Sequence, residues 1–169
     1  MKTVCSWCSK VIGTDSLEPI SDSIITHGIC NECVLKIVLP NNHVLLDYFD
    51  GLDAPVVVIN SLGIVSSANR SARGLLQKEL PDIEGFQCGD VFECVNSRLP
   101  EGCGKTLYCD GCTVRNTIMD TMQSGKSHLK IPAGLSLGTV ENVHEVQLLI
   151  STEKVMDVVL LRIDEFSYA

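Results

Sequence analysis

The chain has 169 residues, 45% of them hydrophobic, which is enough for one packed domain and a small additional module. A formal net charge of -8 without any Lys/Arg cluster argues against nucleic-acid binding, which requires neutralising phosphates. No apolar run reaches the roughly 18–20 residues of a membrane span, and the N-terminal sequence MKTVCSWCSK lacks the apolar stretch of a signal peptide. We therefore expect a soluble, cytoplasmic protein without nucleic-acid or membrane partners.

Nine cysteines are a high count for this length, and eight of them fall into two sets. Thiols stay reduced in the cytosol, so clustered cysteines favour metal or redox chemistry over disulfides.

The first set lies within residues 1–38, in the Cys-x-x-Cys pairs CSWC and CNEC. Two residues between paired thiols let both sulfurs face one ion, and four thiolates complete the tetrahedral shell of zinc. So short a segment buries too little apolar area to fold unaided, and ligation supplies the missing stability. We predict a closed structural zinc site, with His27 as a less favoured competitor ligand. Its ligands are Cys5, Cys8, Cys30 and Cys33.

Residues 39–54 are predicted to form a connector helix. Pro40 and the Asn pair after it interrupt the chain, and apolar side chains then recur at helical spacing. These side chains are Val44, Leu45, Tyr48, Phe49 and Leu52.

Residues 55–169 are predicted to form a mixed domain that begins with two strands and a helix. The β-branched runs PVVVIN and GIVSSA predict strands joined by a short glycine-containing turn. NRSARGLLQ predicts a helix capped by Asn69. DVFECV predicts a short helix capped by Asp90, with Glu93 completing a capping box.

The clearest helix of the domain is TVRNTIMDTMQSG, which Thr113 is placed to cap and Gly125 to end. Three strands follow, SHLKIP, VHEVQLLIS and VMDVVLLRI, and the sequence TEK predicts a turn between the last two. This order of elements indicates an α+β fold with a five-stranded antiparallel sheet and flanking helices.

The second cysteine set forms an insertion at about residues 88–112, in which glycines allow the chain to wrap an ion. The start of the following helix offers N–H groups and a positive dipole end, which favour thiolates. A zinc site, an iron–sulfur cluster and a thiol–disulfide switch all fit this pattern. Cys88 is left over and is interpreted as a buried hydrophobe. The four proposed ligands are Cys94, Cys103, Cys109 and Cys112.

Catalytic motifs are absent from the sequence. It contains no glycine-rich phosphate loop, no His-Glu-x-x-His and no Gly-x-Ser-x-Gly. His43, His128 and His144 have no evident carboxylate or nucleophile partner in the sequence. We therefore expect a protein that is not an enzyme.

Residues Phe49 to Phe166 resemble a PAS domain. FDGLDAPVVVINSLGIVSSANRSARGLL is similar to the opening of that domain, TIMDTMQSGKSHLKI to its long helix and third strand, and VQLLIS with VMDVVLLRIDEF to its closing hairpin. The segment CSWC with HGICNEC is similar to cysteine-rich modules that precede PAS domains in bacterial sensors. The cysteine insertion departs from ordinary PAS domains, although some oxygen-sensing PAS kinases hold an iron–sulfur cluster through four cysteines.

The resemblance implies a sensor that binds a cofactor or small ligand between sheet and helices, or that dimerises through its flanking helix. We expect a change in ligand, oxygen or redox state to alter packing on the connector helix, Val44 to Leu52. No output module follows DEFSYA, so we expect a partner, a homodimer or a fragment of a longer sensor. The alternatives are a non-sensing interaction protein with two structural zinc sites and a thiol oxidoreductase.

Overall fold

A computed structural model of the chain describes residues 2–6, 8–14, 25–30, 32–33 and 49–169. The chain divides into two compact units, Met1–Tyr48 and Phe49–Ala169. Most of the predicted connector helix lies outside the described residues. Among the residues that are described, no helix combines the length and the apolarity that crossing a membrane requires.

The first unit contains three short strands, β1 (Lys2–Cys5), β2 (Val11–Thr14) and β3 (Ile25–Gly28). Strand β1 lies in the middle, antiparallel to β2 and parallel to β3. The pairing of β1 with β3 brings the end of each strand next to a Cys-x-x-Cys pair. Sequence analysis placed no strands here, because four-residue strands are too short to show an alternating pattern.

The second unit is built on a five-stranded antiparallel sheet, as predicted. The spatial order of its strands is β5-β4-β8-β7-β6. The strands are β4 (Val56–Asn60), β5 (Val65–Ala68), β6 (His128–Thr139), β7 (Asn142–Val155) and β8 (Val158–Tyr168).

Three helices connect strands β5 and β6, namely α1 (Arg70–Leu76), α2 (Cys88–Val91) and α3 (Thr113–Ser124). Short 3-10 turns lie between them at Leu80–Asp82, Val95–Arg98 and Leu107–Cys109. Helix α1 has Asn69 as its N-cap, as predicted. Helix α3 ends at Gly125 in the left-handed conformation, also as predicted.

The predicted capping box of the short helix is wrong. Helix α2 begins at Cys88, two residues before Asp90, and its N-cap is Gln87, which makes no side-chain capping bond. Glu93 has a φ of 58°, a left-handed conformation that is incompatible with a helix continuing through it. The N-cap of α3 is Cys112 rather than Thr113, again without a side-chain capping bond.

The turn predicted at TEK is also wrong. Thr152 and Glu153 belong to β7, and the turn that joins β7 to β8 consists of Met156 and Asp157. Met156 has a φ of 51°, which this tight reversal requires. Strand β6 extends to Thr139, well beyond the six residues of SHLKIP, because β7 pairs with it along its whole length.

The main core lies between one face of the sheet and the helices. Buried residues of β4, β7 and β8 pack against Ala72 of α1, Phe92 after α2, and Val114 and Ile118 of α3. The buried hydroxyl groups of Thr121 in α3 and Thr152 in β7 form a hydrogen bond of 2.7 Å. The core therefore positions α3 across the sheet, with the segment from α2 to α3 along its edge.

Candidate metal and thiol sites

The four cysteines of the first set lie close together in the first unit. Their sulfur atoms all lie within 4.8 Å of one another, and those of Cys8 and Cys30 are 3.6 Å apart. The Cys30 N–H donates to the Cys5 sulfur at 3.3 Å. Cys5, Cys30 and Cys33 are buried, whereas Cys8 is exposed. The arrangement brings together the four predicted ligands and could hold one metal ion.

The Cys33 thiol of this group is protonated when no metal ion is bound. Burial raises the pKa of Cys33 to about 12, and hydrogen bonds with the neighbouring thiols contribute to the rise. A metal ion must displace the proton from such a thiol, so metal binding here depends on pH. His27, the competitor ligand, lies exposed on β3 and outside the group of four sulfurs.

The cysteines of the second set line one cavity of about 400 Å³ in the second unit. We call it the thiol cavity. Its apolar wall includes Ile59 of β4, Leu135 of β6, Phe92, and Ile118 of α3, so it lies between the sheet and the helices. Its sulfur-bearing wall consists of Cys94, Cys103, Cys109, Cys112 and also Cys88.

Residues 94–112, which we call the cysteine loop, carry the four cysteines of the second set and are anchored to regular elements at both ends. Cys94 forms an isolated antiparallel bridge with Leu137 of β6, and Arg98 donates to the Gly138 carbonyl at 2.7 Å. At the other end, Cys112 is the N-cap of α3. The cysteine loop is therefore in direct contact with β6 and continuous with α3.

Glycine is required beside the cysteine loop at Gly89 of α2. A Cβ atom there would lie 2.6 Å from the sulfur of Cys103 and 3.2 Å from Cβ of Ser97. The missing side chain lets the Cys103 sulfur pack against the α2 backbone. Sequence analysis singled out the glycines within the insertion, but not this one.

Cys109 differs from the other thiols of the cavity. Its sulfur lies 3.2 Å from the Thr106 hydroxyl and accepts a hydrogen bond from the Gly104 N–H at 3.2 Å. Burial acts to raise the pKa of Cys109, but these hydrogen bonds and the positive charge of Arg115 outweigh it and lower the pKa. The site therefore favours the thiolate at Cys109, the form that binds metals and attacks electrophiles.

The net pKa shift of three neighbouring thiols is upward, opposite to that of Cys109. Burial raises the pKa of Cys94 and of Cys103, although backbone hydrogen bonds partly oppose it at both. It also raises the pKa of Cys88, and the nearby thiols of Cys103, Cys112 and Cys94 contribute further. These thiols are therefore protonated at neutral pH unless a metal ion displaces the proton or the sulfur is oxidised.

Sequence analysis missed two members of this site. Cys88 is partly buried against the core, as its interpretation as a hydrophobe requires, but it also lines the thiol cavity. Thr106 had no sequence signal apart from its position three residues before Cys109. Its relation to the sulfur depends on the 3-10 turn at Leu107–Cys109, which places the two side chains together.

Comparison with known proteins gave structural neighbours only. No family model matches the chain, and no curated protein matches it. The structure is similar to PAS and LOV domains.

The photoactive yellow protein domain of the sensor histidine kinase Ppr from Rhodospirillum centenum has a TM-score of 0.45 and 14% identity, over 71% of this chain and 92% of that one. The LOV protein of Rhodobacter sphaeroides has a TM-score of 0.49 and 15% identity, over 80% and 67%. The PAS domain of nitrogen regulation protein NR(II) from Vibrio parahaemolyticus has a TM-score of 0.44 and 11% identity, over 71% and 95%.

Proposed function

We propose that this chain is a cytoplasmic signalling protein whose PAS-like unit senses redox state, oxygen or a small ligand at the thiol cavity. One observation carries the proposal: the four predicted ligand cysteines, all within residues 94–112, line the same cavity between sheet and helices. The PAS resemblance of the sequence implies a ligand in that hollow. Here sulfur forms much of the wall, which suits a soft metal centre or thiol chemistry.

The signal is proposed to leave the cavity through the cysteine loop. Oxidation or loss of a metal changes the charge and separation of the sulfurs, and the loop is tied to β6 by Cys94 and to α3 by Cys112. A partner protein or a second copy of the chain reads the resulting shift in the sheet or helix. The protein binds and signals in this proposal, and it catalyses no reaction.

The first cysteine set is proposed to hold zinc in a structural role. Four sulfurs within 4.8 Å of one another match a closed tetrahedral site, which leaves no position open for a substrate.

The function is tested by hydrogen exchange on the full chain, purified without oxygen and then exposed to air or hydrogen peroxide. We expect exchange in α3 and β6 to increase on oxidation, and the Cys109→Ser variant to lose this response. The matched control is Ser124→Ala, a substitution at the exposed end of α3. Unchanged exchange in the parent protein would contradict sensing and would favour the alternative, an interaction protein with two structural zinc sites.

A thiol oxidoreductase is the second candidate, and the lowered pKa of Cys109 is the observation that favours it. This activity predicts turnover with a small disulfide substrate and complete loss of turnover in Cys109→Ser. A parent protein that reacts once with the disulfide without turning over would rule the enzyme out and leave the sensor proposal intact.

A further inference from the structure

The two cysteine sets differ in how closely their sulfurs approach one another. Zinc–sulfur bonds of about 2.3 Å at tetrahedral angles place the sulfurs about 3.8 Å apart. In the part of the chain that the structure describes, one group of metal-binding side chains has all its ligand atoms within 4.8 Å, and this group is the first set. The sulfurs of the second set are spread more widely around the thiol cavity.

The cavity that those sulfurs line is also larger than one ion needs. Cavities of about 300–1,000 Å³ hold organic ligands and cofactors, and the thiol cavity has about 400 Å³. Apolar side chains such as Phe92, Val114 and Leu135 line it beside the five cysteines, and its lining contains no aspartate, glutamate or histidine. An iron–sulfur cluster binds its cysteines through different iron atoms, so it accommodates sulfurs that stand further apart than those around a single ion.

Thr106 adds an independent observation. Its side chain is buried, with 6% of its surface exposed, and its hydroxyl lies 3.2 Å from the Cys109 sulfur. A deprotonated Cys109 sulfur, as in a metal ligand, accepts from both the Thr106 hydroxyl and the Gly104 N–H. Hydrogen bonds to a ligand sulfur stabilise added negative charge, and they therefore raise the reduction potential of a cluster.

We infer that the second cysteine set holds a polynuclear iron–sulfur cluster rather than one zinc ion, and this rests on the proposed metal site of the second unit. The ligands are Cys94, Cys103, Cys109 and Cys112. Thr106 is assigned as a positioning residue that raises the reduction potential of the cluster through Cys109. Reduction takes up one electron from an external low-potential donor, and no ligand bond breaks. Cys88, which packs against the hydrophobic core, lines the cavity without binding iron.

The test uses the full chain, reconstituted without oxygen with ferrous iron and sulfide. We expect iron and acid-labile sulfide in equal amounts, absorption near ~400 nm, and bleaching by dithionite. Serine at each of the four cysteines should reduce cluster content several-fold, whereas Cys88→Ala should retain it. Loss of the cluster in Cys88→Ala would overturn the assignment of the four ligands.

Failure of this inference is distinguishable from failure of the proposed metal site. A colourless chain with two zinc ions, one of them lost in Cys109→Ser, would overturn the cluster and leave the metal site in place. A chain that binds no metal at the second set under either condition would remove both.

The role of Thr106 is read from the midpoint potential in a redox titration. Thr106→Val should shift the potential to a more negative value without lowering the iron content, and Thr106→Ser should restore it. The control is Thr117→Val, which removes a buried hydroxyl of α3 outside the cavity lining. An equal potential for Thr106→Val and the parent protein would overturn the assignment of Thr106.

Discussion

Asn69 joins three parts of the second unit through one buried side chain. Its Oδ1 atom accepts from the N–H groups of Val56 and Ala72, each at 2.9 Å, and its Nδ2 donates to the Ala54 carbonyl at 2.9 Å. The side chain has no exposed surface. It therefore caps α1 and fixes the entry to β4 at the same time.

Replacing Asn69 by alanine is expected to lower the free energy of unfolding of this unit by about 2–4 kcal/mol. The change removes a helix cap and leaves buried backbone groups without partners. Urea denaturation followed by circular dichroism measures the loss. Arg70→Ala, at the exposed next residue, is the control and should change stability by less than about 0.5 kcal/mol. A similar loss in both variants would contradict the role assigned to Asn69.

Glu153 provides a prediction of pH dependence. Burial raises the pKa of this carboxyl above its usual value of 4.5, although the charge of Arg162 partly opposes the rise. Between the unfolded and the folded pKa the native state binds more protons, so stability falls as the pH rises through this window. The charged form at pH 7 is therefore destabilising.

Glu153→Gln is accordingly expected to raise the midpoint of thermal unfolding at pH 7. The gain should shrink as the pH falls through the raised folded pKa towards 4.5, and it should be absent well below 4.5, where both states of the parent protein are protonated. Differential scanning calorimetry at several pH values measures it, with the exposed Glu145→Gln as the control. A gain that is independent of pH would show that the carboxyl charge is not its cause.

At the scale of elements, the β7–β8 hairpin depends on a residue that is poorly suited to its turn. Met156 has a φ of 51° and 49% of its surface exposed. The left-handed region costs a residue with a Cβ roughly 1–2 kcal/mol, and glycine avoids that cost. The long pairing of β7 with β8 holds Met156 in this conformation.

Met156→Gly is therefore expected to stabilise the second unit, by up to about 1 kcal/mol after the flexibility of glycine in the unfolded chain is deducted. The denaturation midpoint in urea measures the effect. The neighbouring Asp157→Gly is the control, because Asp157 is also exposed in the turn and its φ is not positive. Destabilisation by Met156→Gly would mean that the exposed side chain makes a contribution greater than its backbone cost.

At the scale of the whole molecule, the division into two compact units predicts two independent metal sites. Cys33→Ser should remove one zinc per chain and leave the metal of the second unit, whereas Cys109→Ser should do the reverse. The double variant should lose both metals, because each site is built from the cysteines of one unit. Metal analysis by mass spectrometry gives the stoichiometry. Loss of both metals in either single variant would contradict the independence of the sites.

The sequence identifies the elements of the second unit better than their ends. β-Branched and apolar runs predicted all five strands, and the cap at Asn69 and the stop at Gly125 predicted helix boundaries. The turn at TEK was wrong because its polar residues continue a strand that pairs with β8, and pairing is not visible in one segment alone. The capping box at Asp90 and Glu93 was wrong because α2 ends at Val91, and the left-handed φ of Glu93 has no signal in the sequence.

Spacing alone identified the first cysteine set as a candidate metal site, because the two residues within each Cys-x-x-Cys pair let both sulfurs face one ion. For the second set, sequence spacing predicted four ligands and left zinc, iron–sulfur and thiol chemistry open. Only the tertiary structure decided that these sulfurs line one cavity with Cys88, and that Thr106 contacts Cys109. The physical reason is that local spacing fixes distances along a short turn, whereas a cavity exists only after sheet and helix have packed around it.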